Sequence, residues 1–366
     1  MTPARAHLCR STFAGGATET EMRTLTQWFE SKRLGELAPL PRALVYAALL
    51  GWTFVVFFPL YWMFITSFKE PLQVSDGPFY LPFVDFDPSM HAWNYVLVVQ
   101  ARDTFRPYVN SLIIAGCSTF LAVAIGSMAA YALTRIAYQP RVSSVLLFIA
   151  STALVVGLML GAGLSLWWAA PIGLMVFALG LRPLARRSRA HLGNNDILFW
   201  MISQRILPPV VSSIPIYIMF QQVHLLDTHL ALILTYMTVN LPIVVWLMYD
   251  FFDGIPRELE ESAALDGASR FRIFFDLMLP LARPGLVATT LLVLILSWNE
   301  YLLALFLSTA NAQTMPLLVA AQNATRGPQW WTMSVLILLM IAPVIVMTLF
   351  LQKFISKGLL TGAVKG

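Results

Sequence analysis

Long apolar runs separated by short polar segments dominate the chain from residue 44 onward. A bilayer span needs about 20 apolar residues, and single runs near that length cover 44–66, 109–133, 198–222, 230–249, 286–307 and 332–354. The uncharged stretch 142–181 is long enough for two further spans, with Gly161 and Gly163 at its turn. The pattern predicts an all-α polytopic membrane protein with about eight transmembrane helices.

The first part of the chain differs from the rest. Residues 1–42 are polar and mixed, without the apolar core and small-residue cleavage site of a signal peptide. Met22 is an alternative start of translation. We therefore predict an N-terminal tail over 1–42 and a transmembrane domain over 43–366.

Composition agrees with a membrane protein and argues against other classes. The chain is 58% hydrophobic and 12% charged, with a mean hydropathy of +0.71, whereas soluble proteins have about 25% charged residues. The net charge of +5 is modest and spread over several loops, which makes nucleic-acid binding a poor explanation. No P-loop, H-E-x-x-H, cysteine cluster or G-x-S-x-G motif occurs, so the chain alone is not expected to be an enzyme.

The distribution of basic residues predicts the orientation. With eight spans, 19 of the 24 Lys and Arg residues fall on the side that holds both termini, and 4 fall on the other side. Because basic residues concentrate in cytoplasmic loops, the termini and the polar segment 253–284 are predicted to be cytoplasmic.

The segment 253–284 has the character of two short helices on a membrane surface. Acidic residues follow Arg257, where a helix N-terminus favours negative charge. Gly267 interrupts the helical pattern, and a second amphipathic run follows it. That run is predicted to place the following side chains on one apolar face: Phe271, Phe274, Phe275, Met278 and Leu279.

This segment resembles the EAA motif of permeases from ATP-binding-cassette (ABC) importers. The motif runs Glu-Ala-Ala, three residues, Gly, nine residues, Ile, one residue, Leu-Pro, and every gap is kept here. The corresponding residues are Glu261, Ser262, Ala263, Gly267, Leu277, Leu279 and Pro280, with Ser262 in place of Ala and Leu277 in place of Ile as the two departures. Asp266-Gly267-Ala268 and the C-terminal GLLTGAVKG are similar to the carbohydrate branch with maltose-type and trehalose-type permeases.

The resemblance implies a type I ABC importer permease with a six-helix family core, in which the hairpin 142–181 is an insertion. It also implies an ATPase-coupling role for Glu258, Glu261, Ser262, Ala263, Ala264, Asp266, Gly267, Ala268, Leu277, Leu279 and Pro280. The implied partners are a second permease subunit, two cytoplasmic ATPase subunits and an external solute-binding protein. The segments 69–107 and 308–331 are the candidates for contact with the solute-binding protein. The implied location is the bacterial cytoplasmic membrane. No cofactor is expected in this chain, since ATP and Mg²⁺ would bind the ATPases.

Polar residues within the apolar runs are the candidates for a solute pathway, because charged groups in hydrocarbon are costly and often functional. The predicted set is Gln204, Arg205, Asn240, Trp298, Asn299, Glu300 and Tyr301. Two simpler interpretations remain open. Arg205 and Glu300 could form a structural ion pair, and the aromatic residues could be lipid anchors.

The predicted cargo is a sugar or polyol, by similarity to the carbohydrate branch. A glycerol phosphodiester is an alternative, since Arg205 would suit an anion. An ion-coupled secondary transporter and a membrane-embedded enzyme are less favoured. The chain shows neither the acidic relays and internal repeat of the former nor a reactive constellation for the latter.

Overall fold

The computed structural model describes residues 39–185, 190–323 and 327–362, and this part of the chain is almost entirely helical. Its regular secondary structure consists of helices, apart from two isolated β-bridges. The first helices are α1 (Pro39–Thr66), α2 (Pro71–Ser75), α3 (His91–Asn94, continued by a π-helix at Tyr95–Val99), α4 (Ala101–Arg135), α5 (Val142–Gly161), α6 (Leu166–Ala185) and α7 (Asn194–Ile206). They are followed by α8 (Pro209–Gln222), α9 (His229–Asp253), α10 (Glu258–Leu265), α11 (Arg270–Leu281), α12 (Arg283–Trp298), α13 (Leu302–Leu307), α14 (Met315–Ala321) and α15 (Trp330–Gly362). The predicted all-α class is confirmed.

The described helices include five that are long and apolar enough to cross a membrane, namely α1, α4, α5, α9 and α15. Two bent pairs raise this number to seven if each pair is one span: α7 with α8 (92°) and α11 with α12 (80°). The apolar part of α6, Leu166–Leu181, is shorter. All eight predicted apolar segments are therefore helical, but five to seven of them meet the requirements of a span.

Two predicted spans are not single helices. In the segment 198–222, Leu207 has an extended backbone between α7 and α8, because the following Pro208 disfavours the helical conformation before it. In the segment 286–307, α12 ends at Trp298. The Glu300 side chain then accepts the Leu303 N–H at 3.0 Å and begins the separate helix α13.

The chain divides into two units, Met1–Thr66 and Ser67–Gly366. The described part of the first unit is α1, a helix of 28 residues with Pro59 inside it. Most of the predicted tail lies outside the described residues, as do Arg186, Arg187, Arg189 and the last four residues of the chain. The domain boundaries 1–42 and 43–366 stay a prediction.

Within the second unit, α4 and α9 form the central helix pair. They approach each other closely at Gly126, where an added Cβ would lie 2.6 Å from Val244 Cγ1. Ala122 and Ala130 on the same helix are fully buried. Small residues thus allow the two backbones to come together, as expected for membrane helices. Gly116, in contrast, has open space around it.

Helices α5 and α6 pack against each other as an antiparallel hairpin. Phe148 and Phe177 meet edge to face at 5.7 Å, and Gly173 lies directly against Val155. At the base of the hairpin, Val142 N–H donates to Ala190 O, and Leu192 N–H donates to Pro140 O, both at 3.0 Å. Backbone hydrogen bonds therefore close the segment where it leaves and rejoins the chain.

Candidate functional site: the coupling segment and the polar cavity

The segment 253–284 consists of two helices joined at a glycine bend, as predicted. Helix α10 ends at Leu265, and Gly267 has a φ of +81°, in the left-handed region that favours glycine. Helix α11 then begins after Ser269, whose side chain accepts the N–H of Arg272. The angle between α10 and α11 therefore depends on a backbone conformation that other residues adopt with strain.

The residues predicted to form the apolar face of α11 differ in their exposure. Phe274 and Met278 are buried, whereas Phe271 and Phe275 are 75% and 52% exposed. Residues Ile273–Met278 of this helix form a π-helix, whose wider turn changes the angular spacing of the side chains. Phe271 and Phe275 therefore stay accessible at the surface of the second unit.

Glu260 connects α10 to the end of α4. Its carboxylate accepts a hydrogen bond from the Tyr131 hydroxyl at 2.8 Å and pairs with the Nε of Arg135. The Arg135 and Glu260 side chains are only 10% and 13% exposed. Such a shielded, charge-assisted contact is stronger than a surface ion pair. We call Tyr131, Arg135 and Glu260 the α4–α10 clamp.

Arg135 also closes the end of α9. Its Nη2 donates to the carbonyl oxygen of Phe252 at 3.0 Å, in the last turn of the helix, and to that of Ile255 at 2.9 Å, just beyond it. Arg257 adds a hydrogen bond from its Nη2 to Thr134 O at 3.2 Å. One guanidinium thus holds together α4, α9 and α10.

The remaining coupling residues fall into two groups. The exposed group is Glu258, Glu261, Ser262, Ala264, Asp266 and Gly267, and the partly buried group is Ala263, Ala268, Leu277, Leu279 and Pro280. A groove of about 500 Å³ lies between α10, α11 and the end of α4. The α10 surface is therefore open to a partner on one side and attached to the helix bundle on the other.

Four of the predicted pathway residues line one cavity of about 390 Å³. They are Gln204, Arg205, Asn240 and Glu300. Arg205 Nη2 donates to Asn240 Oδ1 at 2.6 Å, and Asn240 Nδ2 donates to Ser297 Oγ at 3.0 Å. A chain of side-chain hydrogen bonds therefore crosses from α7 through α9 to α12.

Within the described residues, Arg205 and Glu300 do not form the structural ion pair that was the alternative interpretation. Arg205 is hydrogen-bonded to Asn240, while Glu300 Oε1 accepts the N–H of Leu303. The two charges nevertheless line the same cavity. The cavity thus offers both hydrogen-bond donors and acceptors, which suits a polar solute with several hydroxyl groups.

Trp298, Asn299 and Tyr301 do not line this cavity. Trp298 is 4% exposed, donates its indole N–H to Met340 O at 3.0 Å and meets Tyr108 edge to face. Asn299 Nδ2 donates back to Ile295 O. Trp298 instead lies beside a separate, largely apolar cavity of about 520 Å³, so its buried position is that of a packing residue.

Sequence reasoning missed Tyr131, Arg135 and Tyr236. Tyr131 and Arg135 are four residues apart and so share one helix face, a spacing that could have marked them as a pair. Tyr236 is 2% exposed and lines the polar cavity, and its hydroxyl donates to Glu300 O at 3.3 Å. An isolated tyrosine within an apolar run carries no comparable signal.

On the opposite side of the second unit, Asp227 orders the segment after α13. Both of its carboxylate oxygens accept backbone N–H bonds, from Thr309, Ala310, Asn311 and Ala312, at 2.9–3.3 Å. Burial acts to raise the pKa of Asp227, but these hydrogen bonds outweigh it and hold the pKa well below its usual range. Asp227 therefore holds residues 309–312 in place, although Thr309, Ala310 and Asn311 are exposed.

Comparison with known protein families gives a match over most of the chain. The model of the family described as "Binding-protein-dependent transport system inner membrane component" matches residues 53–361. The chain belongs to this family. The permease is therefore a multi-pass membrane subunit of an ABC transporter, and its family is one of transport components rather than enzymes.

The sequence similarity to individual relatives extends over most of the length of the permease. It is 28% identical to the trehalose/maltose transport system permease protein MalG of Thermococcus litoralis over 333 residues, covering 89% of this chain and 98% of that protein. It is 28% identical to the diacetylchitobiose uptake system permease protein DasC of Streptomyces coelicolor, covering 84% and 92%. A crystal structure of a bacterial ABC transporter involved in alginate import has a chain with a TM-score of 0.54 and 20% identity, covering 88% of the permease. That likeness supports the fold.

Proposed function

We propose that the permease forms half of the pore of a carbohydrate importer and passes a sugar or polyol from an external solute-binding protein to the cytoplasm. Its relatives named as trehalose, maltose and diacetylchitobiose permeases support the cargo class. A second permease subunit completes the pore, and two ATPase subunits supply the energy. ATP and Mg²⁺ bind those subunits, and this chain carries no cofactor. The assembly lies in the bacterial cytoplasmic membrane.

The observation that carries this proposal is the attachment of α10 to the bundle. Its exposed side presents Glu258, Glu261 and Ser262 to an ATPase, while Glu260 on the other side is clamped to α4. A movement of the ATPase against α10 reaches α4 through this clamp. Because α4 packs along α9, and Asn240 of α9 lines the polar cavity, the movement is transmitted to the solute pathway.

The charges of the polar cavity favour a neutral cargo over a glycerol phosphodiester. Arg205 alone would suit an anion, but Glu300 lines the same cavity and opposes a second negative charge. Donors from Arg205 and acceptors from Glu300 match the hydroxyl groups of a sugar or polyol. Membership of an ABC transporter family removes the ion-coupled secondary transporter from consideration.

Solute uptake by cells that carry the intact importer tests the proposal through Gly267→Pro. Proline fixes φ near −65° and lacks an N–H, whereas Gly267 has a φ of +81° and donates its N–H to Ala264 O at 3.0 Å. We expect uptake to be lost and the ATPases no longer to co-purify, with the permease still in the membrane. Gly157→Ala, at a helical position with open space around it, is the matched control. Normal uptake in Gly267→Pro would refute the coupling role.

A further inference from the structure

The segment that follows α1 contains a tight turn at residues 81–86 with apolar side chains at its tip. Phe83 N–H donates to Phe86 O, and Asp85 N–H donates to Leu81 O, both at 2.9 Å. Phe83 and Val84 are 83% and 78% exposed. Two large apolar groups therefore project from a small, hydrogen-bonded turn.

Phe83 has a strained backbone. Its φ of +66° lies in the left-handed region, which is an outlier for a bulky residue and is ordinarily occupied by glycine. Stability alone therefore does not account for a phenylalanine at the tip. Strained residues of this kind concentrate at binding and catalytic sites, where the surrounding structure enforces them.

The surrounding structure does enforce this turn. The Asp85 carboxylate accepts the N–H groups of Tyr80 at 2.9 Å and Leu81 at 2.8 Å. The hydrogen bond from Leu81 has the larger effect and that from Tyr80 the smaller, and both lower the pKa of the Asp85 carboxyl group, which keeps it charged. Below the turn, the buried Lys69 donates to a neighbouring carbonyl and lies 5.0 Å from the centre of the Phe86 ring. The tip is thus preorganised, which lowers the entropic cost of binding.

The charges of the segment 67–90, which contains the tip, indicate what can cover it. Glu70, Asp76, Asp85 and Asp87 are all exposed, whereas Lys69, the one cation between residues 67 and 90, is buried. These exposed carboxylates, which we call the acidic rim, are repelled by anionic phospholipid headgroups. The acidic rim is complementary to a protein surface on which basic residues border an apolar pocket.

We propose that Phe83 and Val84 form a docking knob that enters an apolar pocket, bordered by basic residues, on the solute-binding protein of the importer. This inference rests on the proposed function, since it assigns an element of the permease to one of its partners. Hydrophobic contact of the knob supplies the affinity, and the acidic rim steers the approach of the partner.

The test uses the complete importer in lipid nanodiscs, titrated with its purified solute-binding protein, with ATP hydrolysis as the readout. Phe83→Gly removes the side chain and relieves the strained φ, so the thermal stability of the importer should be unchanged or higher. We expect the concentration of binding protein that gives half-maximal stimulation to rise about tenfold, at an unchanged maximal rate, because a buried Phe side chain is lost from the interface. Val84→Asp should act in the same direction.

Leu174→Ala is the control, because Leu174 is 68% exposed on α6, outside both segments that are candidates to contact the binding protein. A photo-crosslinking residue at position 83 adds a direct readout and should attach to the binding protein. Attachment to lipid or to the second permease subunit would overturn the docking knob, as would unchanged half-maximal concentrations in Phe83→Gly and Val84→Asp. Failure of the wild-type importer to respond to any binding protein would instead refute the proposed function itself.

Discussion

The α4–α10 clamp allows a quantitative test of how the permease is coupled to its ATPases. Glu260→Gln keeps an oxygen that can accept from Tyr131 but removes the negative charge that pairs with Arg135. The guanidinium then stays shielded against the carbonyls of Phe252 and Ile255 without a counter-charge. Hydrogen bonds to charged groups contribute about 1.5–3 kcal/mol, so we expect the attachment of α10 to weaken by about 2 kcal/mol. That free energy corresponds to a shift of about 30-fold in the equilibrium between attached and detached α10.

Glu260→Ala removes both contacts of the carboxylate and should cost about 3–5 kcal/mol, the typical loss when one partner of a buried pair is deleted. The loss is local, because Gly126 and Val244 still hold α4 and α9 together. The assay is the number of ATP molecules hydrolysed per solute transported in proteoliposomes, combined with hydrogen exchange of α10. Both should increase in the order wild type, Gln variant, Ala variant.

The same segment supplies the control for the clamp variants. Arg272 and Asp276 form an ion pair at 3.4 Å whose side chains are largely exposed, and such pairs contribute about 0–1 kcal/mol. Asp276→Asn should therefore leave the ATP-to-solute ratio unchanged. An unchanged ratio and unchanged exchange of α10 in Glu260→Ala would refute the reasoning.

Further predictions concern the helix packing, the ordered segment after α13 and the polar cavity. Gly126→Ala should destabilise the permease by about 1–3 kcal/mol through overpacking against Val244, measured by thermal unfolding in detergent. Because folding lowers the pKa of Asp227, its ionised form stabilises the fold above the ordinary carboxyl range, and this contribution is lost as the pH falls through the lowered pKa. Asp227→Asn should remove this acid sensitivity and increase hydrogen exchange in residues 309–312. Asn240→Leu should raise the solute concentration for half-maximal uptake several-fold by releasing Arg205 from its position.

Each of these predictions has a comparison within the chain. Gly116→Ala, on the same helix but with open space around the added methyl group, should leave thermal stability unchanged. If the Asp227→Asn variant keeps the acid sensitivity, that sensitivity arises from another carboxyl group. Uptake kinetics like those of wild type in Asn240→Leu would remove the cavity from the solute pathway.

The apolar pattern was sufficient to predict which stretches form the long apolar helices, because the need for about 20 apolar residues per span is a local property of the sequence. The bend at Gly267 was also predictable, since glycine is the residue type that readily adopts a positive φ. The π-helix in α11 and the restart of the helix after Glu300 were not, because both depend on hydrogen bonding that the period of the apolar residues does not reveal.

The candidate site was predictable only in part, for a related reason. The coupling residues follow one another in the chain, so a motif reveals them. Arg135 and Glu260, in contrast, are 125 residues apart, and their pairing depends on how α4 packs along α9. Trp298 was assigned to the pathway from its residue type, but side-chain direction is decided by the packing against α15.

The base of the α5–α6 hairpin has a consequence for the history and the engineering of this chain. The hydrogen bonds Val142–Ala190 and Leu192–Pro140 place the two ends of the hairpin side by side. A gene segment that encodes such a pair of helices can enter or leave the coding sequence without shifting the elements on either side. For the same reason this junction is a natural graft point for a reporter domain. Its two termini would need to lie about 5 Å apart, the spacing of paired strands.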